Sequence, residues 1–330
     1  MHATLLEILR CPICRGTLAL DGDGGHDIES GTLTCHGCGA LHPIIRGIPR
    51  FVPADNYSAS FGYQWNRFPR TQLDSYSGTT ITADRFFSQS GWTSEEMRAK
   101  SVLDVGCGAG RFAEVTLGTG ARVVAVDYSS AVDACRANLG GAELLDVVQA
   151  DVYHLPFAEE AFDFVYCFGV VQHTPDVKAA VQALVGPTRR GGRVAVDVYP
   201  KLWLNFLWPK YWLRPLTKRI PHQRLFPIIE KLVAVLLPLS RLLRSVPMVG
   251  RKLRWLVPVA NYEGVHPLDE RQVYEWAVLD TFDMFAPAHD HPQEPATLRR
   301  WLTEAGVDRV EVLPLGHLVG RGVRGNGGRL

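Results

Sequence analysis

A chain of 330 residues, 46% hydrophobic and 21% charged, has the make-up of an ordinary globular protein and is long enough for one enzyme-sized core plus a smaller unit. Its 35 Lys and Arg against 34 Asp and Glu leave a net charge of +1, so no global field exists to draw in nucleic acid. No stretch is long and uncharged enough to cross a bilayer, and no signal peptide opens the sequence, which argues against secreted, disulfide-built classes and for a reducing, cytoplasmic setting.

The first predicted unit, residues 1–53, carries Cys11-Pro-Ile-Cys14 and Cys35-His-Gly-Cys38, two CxxC pairs separated by 20 residues. That spacing matches a tetrahedral zinc site of four thiolates, with two disulfides or idle thiols as the alternatives. Gly16 and Gly39 follow the pairs and suit the knuckle turns that aim backbone N–H groups at sulfur. His36 and His42 are further potential ligands, but four cysteines leave no vacancy. A closed site of this kind has no open position for chemistry, so the zinc is expected to be structural, supporting a unit too small to bury an adequate core. The other cysteines, Cys107, Cys135 and Cys167, are expected as buried thiols.

Residues 54–100 are predicted as a lid and linker helix. Ser60 to Phe68 is aromatic, polar and glycine-containing, suited to fold over a ligand or to pack the two units together. Arg85 is a candidate partner for a ligand carboxylate.

The third unit, 101–330, opens on Ser101-Val-Leu-Asp-Val-Gly-Cys-Gly-Ala-Gly-Arg111: a strand, an acid, then Gly106, Gly108 and Gly110 at alternate positions before a helix. Such glycines let the backbone turn tightly and approach a nucleotide. A dinucleotide fingerprint would need glycine where Arg111 stands and would set pyrophosphate beside Asp104, which repels it. A carboxylate there suits the ammonium of a methionine moiety instead, so the loop points to S-adenosylmethionine. Strand 122–127 then ends in Asp127, placed for a ribose diol, and strand 144–151 ends in Asp151, which with the backbone of Val152 would frame an adenine. A fourth strand, 162–168, leads through Gly169 to Gln172-His-Thr-Pro-Asp176. His173 is the candidate general base, with packing of the cofactor pocket as its alternative; Asp176 would orient it or cap a helix. Arg193 to Tyr199 makes a fifth strand.

Residues 200–262 read as a basic, amphipathic helical insert. From 201 to 260 there are 12 Lys and Arg against the single acid Glu230, a local +11 that leaves −10 for the remainder. Leu225, Ile229, Leu232, Leu236, Leu239 and Leu243 form the apolar stripe; Pro227 suits a helix start, whereas Pro238 is expected to kink or split the run. Three uses fit: a packed lid with snorkelling cations, a surface for anionic lipid or a lipid-linked acceptor, or an RNA platform, against which the aliphatic stripe argues. Beyond it, Asp283, His289, Asp290 and His291 gather near a proline-rich turn, for acceptor hydrogen bonding rather than metal. A helix over 296–305 stops at Gly306, and 307–313 with 317–323 make a closing hairpin.

The ordered set DVGCGAGRF, VVAVDYS, QADVYHLPF, FDFVYCFGVVQHTPD and RRGGRVAVDVY resembles the class I S-adenosylmethionine-dependent methyltransferases. The resemblance implies an α/β fold, a seven-stranded Rossmann-like sheet with its last strand antiparallel, and a cofactor site at Asp104, Gly106, Cys107, Gly108, Gly110, Asp127, Tyr128, Asp151, Val152, Phe168 and Gly169. Residues 4–53 resemble the small zinc-ribbon activator proteins that pair with tRNA and protein methyltransferases, here fused in cis, with Cys11, Cys14, Cys35 and Cys38 as zinc ligands. Together they imply methyl transfer to a small or lipid- or glycan-linked biosynthetic acceptor, most simply at oxygen. The alternatives are an RNA base methyltransferase, since a zinc ribbon joined to a methyltransferase is similar to the ribosomal RNA guanine methyltransferases, and a non-catalytic partner protein. The basic insert adds peripheral contact with the inner face of an anionic membrane as an expectation. Neither the acceptor nor the oligomeric state is legible.

Overall fold

A computed structural model describes residues 1–22, 25–53, 56–202, 208–244 and 257–326. Seven short apolar runs assemble the main sheet: β5 (Ser101–Val105), β6 (Arg122–Asp127), β7 (Leu145–Gln149), β8 (Phe162–Cys167), β9 (Thr188–Val198), β10 (Val307–Leu315) and β11 (His317–Arg324). Their order is β10-β11-β9-β8-β5-β6-β7. β5 to β9 pair in parallel, and β11 runs antiparallel to both β9 and β10, as the resemblance implies. The parallel strands read as nearly continuous Val, Leu and Ala because helices cover both faces of such a sheet. All their carboxyl ends open to one edge, where ligands of such sheets bind. The fifth strand begins at Thr188, earlier than its apolar run suggests, because a register shift against β8 carries the polar turn Arg189–Gly192 into the sheet.

The amino-terminal unit is an antiparallel meander of β1 (Leu18–Asp21), β2 (Ser30–Cys35), β3 (Leu41–Ile45) and β4 (Ile48–Pro49). It shares one apolar core with the sheet: Leu5, Leu9, Leu33 and Ile44 pack in the same cluster as Val148, Phe157 and Phe162. The backbone is joined as well. Leu9 bridges Phe157 and Arg50 bridges Gln149, where the Phe51 amide donates to the Gln149 carbonyl at 2.8 Å. Arg15, not Gly16, takes the left-handed turn of the first knuckle (φ 64°), and its guanidinium donates to the Leu155 and Phe157 carbonyls at 2.7 and 2.5 Å. Gly16 is needed for space: a Cβ there would lie 3.2 Å from the sulfurs of Cys14 and Cys35.

Of the basic insert, helices Pro209–Thr217 and His222–Arg244 are described; Arg251, Lys252 and Arg254, three of its twelve cations, lie outside the described residues. The longer helix runs through both Pro227 and Pro238, so neither starts nor splits it. Both prolines face solvent, while Leu225, Phe226, Ile229, Val233 and Leu237 pack against Val273, Ala277 and Phe282 of helix Glu270–Phe285. Tertiary burial outweighs the two lost backbone bonds. The buried stripe is therefore displaced from the one expected, and Leu239 of the expected set is exposed. No helix among the described residues is long and apolar enough to cross a membrane.

Candidate functional site

A cavity of about 1040 Å³ opens at the carboxyl edge of the sheet. Its floor is Gly106–Ala109 and Asp127; one side is formed by Phe168, Gly169 and His173, and the roof by Phe61, Gln64 and Trp65. The roof is helix Ala59–Arg67, so the segment expected as a lid does cover the glycine loop. Gly106, Gly108 and Gly110 all have positive φ, and close neighbours leave no room for side chains. A Cβ on Gly106 would lie 2.3 Å from Val170, on Gly110 2.7 Å from Leu139, and on Gly108 3.1 Å from the indole of Trp65.

The strand-end acids divide. Asp127 is half-buried at the cavity wall and accepts from the Gly108 amide at 2.9 Å and from the Ser129 amide and hydroxyl at 2.8 and 2.7 Å, which fix its carboxyl group. Asp104 departs from the expectation. It is 1% exposed, lies behind the wall beside the buried Tyr166 hydroxyl, and has one carboxyl oxygen without a partner. Burial pushes it up to about 8. Cys107 and Phe168 are buried at the cavity lining, with Gly169 beside them in a left-handed turn. Asp151, Tyr128 and the buried Val152 lie off the main cavity; the first two border a second one, of about 420 Å³.

Two cations converge on the main cavity. Arg85, on helix Ile81–Ser90, pairs with the fully buried Asp197 at 2.7 Å; Asp197 also accepts from the Gly169 amide and lies 2.8 Å from His317 Nδ1. Despite its burial, His317 and Arg85 hold this carboxyl well below the usual range. Arg111 donates to Thr82 Oγ1 and Gln72 Oε1 and has no carboxylate in ion-pair range among the described residues. Burial, then the neighbouring Arg85, pulls it down to about 9. It remains a cation at neutral pH with room for an anionic ligand.

His173 is 5% exposed in the cavity wall. Its Nδ1 lies 3.0 Å from the His289 carbonyl, which can only accept, so Nδ1 carries the proton and Nε2 presents a lone pair. Nε2 has no hydrogen-bond partner and stands 4.0 Å from Asp283 Oδ2. Asp283, not Asp176, is the acid that faces the imidazole. Asp176 is exposed and caps helix Val177–Ala183 by accepting from the Ala179 amide at 3.0 Å, a local duty that removes it from the site. Nor does the Asp283–His291 cluster hold together as a metal site: Asp290 is buried in ion pairs with Lys210 (3.2 Å) and Arg214 (2.7 Å). Sequence reasoning missed Arg111 and Asp197 as contributors. An acid inside the apolar run Val194–Val198 was the available signal for the second.

The sulfurs of Cys11, Cys14, Cys35 and Cys38 lie within 4.8 Å of one another, with Cys11–Cys38 at 3.7 Å and Cys14–Cys35 at 3.4 Å. Zn–S bonds of about 2.3 Å in a tetrahedron put sulfurs about 3.8 Å apart, so the set fits zinc. His42 reaches only 3.9 Å from the Cys11 sulfur, and its ring packs at a tilt against Phe51, 4.8 Å between centroids. The main cavity likewise fits S-adenosylmethionine. It offers Asp127 for the ribose, Arg111 for the carboxylate, and glycine backbone where side chains would block the floor.

Residues 103–196 match the methyltransferase-domain family model, and residues 2–47 match that of Trm112p-like proteins. The ubiquinone biosynthesis O-methyltransferase of Cronobacter sakazakii is 37% identical over 111 residues, covering 32% of this chain and 46% of that protein. The demethylmenaquinone methyltransferase of Thermobifida fusca is 36% identical over 104 residues, covering 31% and 44%. The chain thus spans about half the length of the curated relatives it matches. Among solved structures, the magnesium protoporphyrin IX methyltransferase of Synechocystis is 16% identical, covers 81% of this chain and 96% of its own, and gives a TM-score of 0.42. The chain carries a class I methyltransferase domain joined to a Trm112p-like domain.

Proposed function

We propose that this protein transfers a methyl group from S-adenosylmethionine to the oxygen of a small, apolar or lipid-linked acceptor, with a structural zinc ion in its amino-terminal unit. The observation that carries the reading is the unpartnered Nε2 of His173 in the same cavity as the glycine loop and Asp127. When bound, the cofactor supplies an electrophilic methyl group, so the protein must align the acceptor, exclude water and remove a proton. The His289 carbonyl holds the His173 tautomer, Nε2 takes the acceptor proton, and Asp283 stabilises the imidazolium that results. Tyr199, Met284 and Trp276 give the acceptor side apolar and aromatic walls. Oxygen and a quinol-like acceptor are favoured because several curated relatives are ubiquinone biosynthesis O-methyltransferases.

The exposed face of the insert supports a lipid-borne acceptor. Trp212, Leu216, Val235 and Leu242 are each about two-thirds exposed, beside the exposed Lys218, Arg219, Arg224 and Lys231. Apolar side chains flanked by cations suit an anionic bilayer.

The test is methyl transfer from labelled S-adenosylmethionine to a panel of catechols and hydroquinones of increasing tail length. His173→Gln should lower kcat by about 10²–10⁴-fold while S-adenosylhomocysteine affinity by calorimetry stays unchanged. Equal loss of cofactor binding would reduce His173 to packing. Flotation with phosphatidylglycerol vesicles should depend on Leu216, Val235 and Leu242, and no change on their replacement by Ser removes the membrane contact.

A further inference from the structure

We infer that the metal-binding unit supplies one wall of the subsite for the cofactor's base, so that the ribbon takes part in ligand recognition as well as in folding. The inference rests on the methyltransferase reading and deepens it.

The second cavity, about 420 Å³, lies between the two units. On the sheet side it is bordered by Tyr128, Asp151 and His154; on the ribbon side by Pro12 and Ile13, the two residues inside the first CxxC, and by Phe51 to Pro53. Its size falls in the range of small-ligand pockets, and its chemistry is that of a base site: aromatic and apolar walls with one carboxylate among them. Asp151 Oδ1 accepts from the Tyr153 amide at 3.0 Å, which fixes the carboxyl group, while Oδ2 lies 3.8 Å from the His154 ring, beyond hydrogen-bond distance, and can accept from a donor such as an exocyclic amino group.

The two cavities come nearest at the end of β6, where Asp127 lines the larger and the next residue, Tyr128, lines the smaller, so a ribose held by Asp127 would direct its base toward Asp151. The Tyr57 ring lies 5.0 Å from the ring of Tyr128 and 5.6 Å from that of His289.

Ile13 lines this pocket from a knuckle whose neighbours Cys11 and Cys14 are committed to the sulfur cluster, and its side chain is 71% exposed. A ligand seated in the pocket would take that apolar group out of water. The knuckle is also held still relative to Asp151, because Arg15 is tied to the carbonyls of Leu155 and Phe157.

The experiment uses the full chain and S-adenosylhomocysteine as probe, by titration calorimetry, with zinc content and melting temperature recorded for each variant. Ile13→Asp should weaken binding by about tenfold or more and Ile13→Ala by about threefold, with zinc content and melting unchanged, as the exposure of the residue allows. The hypoxanthine analogue, S-inosylhomocysteine, should bind about tenfold more weakly to the natural sequence, and Asp151→Asn should narrow that difference. If the natural sequence binds S-adenosylhomocysteine and both Ile13 variants match it within about twofold, the ribbon is no part of the subsite. If the natural sequence binds neither nucleoside, the methyltransferase reading itself fails.

Discussion

The ribbon and the insert both adjoin the carboxyl edge of the sheet, but they are attached by different means. The ribbon is joined through backbone hydrogen bonds and a common apolar core, with Arg15 and the ion pairs of Arg46 and Arg50 with Asp133 and of Glu29 with Arg136 added around it. The insert packs an apolar stripe on helix Glu270–Phe285 and is also pinned by a buried charge cluster. Asp290 pairs with Lys210 and Arg214, all nearly out of water, and Arg214 also donates to the carbonyls of Pro287 and His289. Since the His289 carbonyl sets the His173 tautomer, the ion pair reaches the candidate base through one intermediate. The difference teaches that the ribbon is held over a broad shared surface, whereas the insert adds to its apolar packing a few desolvated charges whose loss is costly.

Removing the metal should have the largest effect, since structural zinc sites contribute on the order of 10 kcal/mol. One zinc per chain is expected by elemental analysis, and a chelator should melt the ribbon, seen as loss of amide-exchange protection over residues 1–53. Retained protection without metal would make the common core the real support. Next, Asp290→Ala strands two buried cations and should cost about 3–5 kcal/mol in urea unfolding, most of it recovered when Lys210 and Arg214 are replaced by Met together.

Two buried acids should then show opposite pH slopes. Asp104 rises from an ordinary 3.8 to about 8 through burial, so the folded chain holds a proton that the unfolded chain releases. Its contribution is fully present below about pH 4 and lost as pH climbs through 8. Asp104→Asn should therefore gain stability relative to the parent by up to ~1.4 kcal/mol per pH unit across that window. Asp197 is depressed, so its contribution exists above its unfolded value near 3.8 and disappears as pH falls through the folded one. Asp197→Asn should cost most at pH 7 and progressively less below pH 4; parallel slopes for the two variants would contradict both assignments. The smallest effect is expected at Arg15, where Arg15→Gly relieves the left-handed turn but loses two charged hydrogen bonds, for a net cost of about 1–3 kcal/mol.

How much was legible follows from how local each signal is. The glycine loop, the strand carrying Asp127, the CxxC pairs and the final hairpin are written in contiguous residues, and the structure has them where the pattern puts them. His173 was found because it lies just beyond a strand end. Its partner was not, because Asp176 is adjacent in sequence while Asp283 arrives from a helix more than a hundred residues away. For Asp104, proximity to the first glycine does not say on which side of the loop the carboxyl group points, and here it lies buried beside Tyr166. In the insert, periodicity gave a helix but not its rotation, which only the contacts with Val273 and Phe282 decide.

The pairing of Arg50 and Phe51 with Gln149 has a consequence for solubility. β7 is the outermost strand on its side of the sheet, and a bare outermost strand offers its amides and carbonyls to any other extended chain. By pairing its backbone with Gln149, the last residue of that strand, and packing beside the rest, the ribbon blunts the edge, so a version of the protein cut free of its first 53 residues should self-associate even where its sheet is intact.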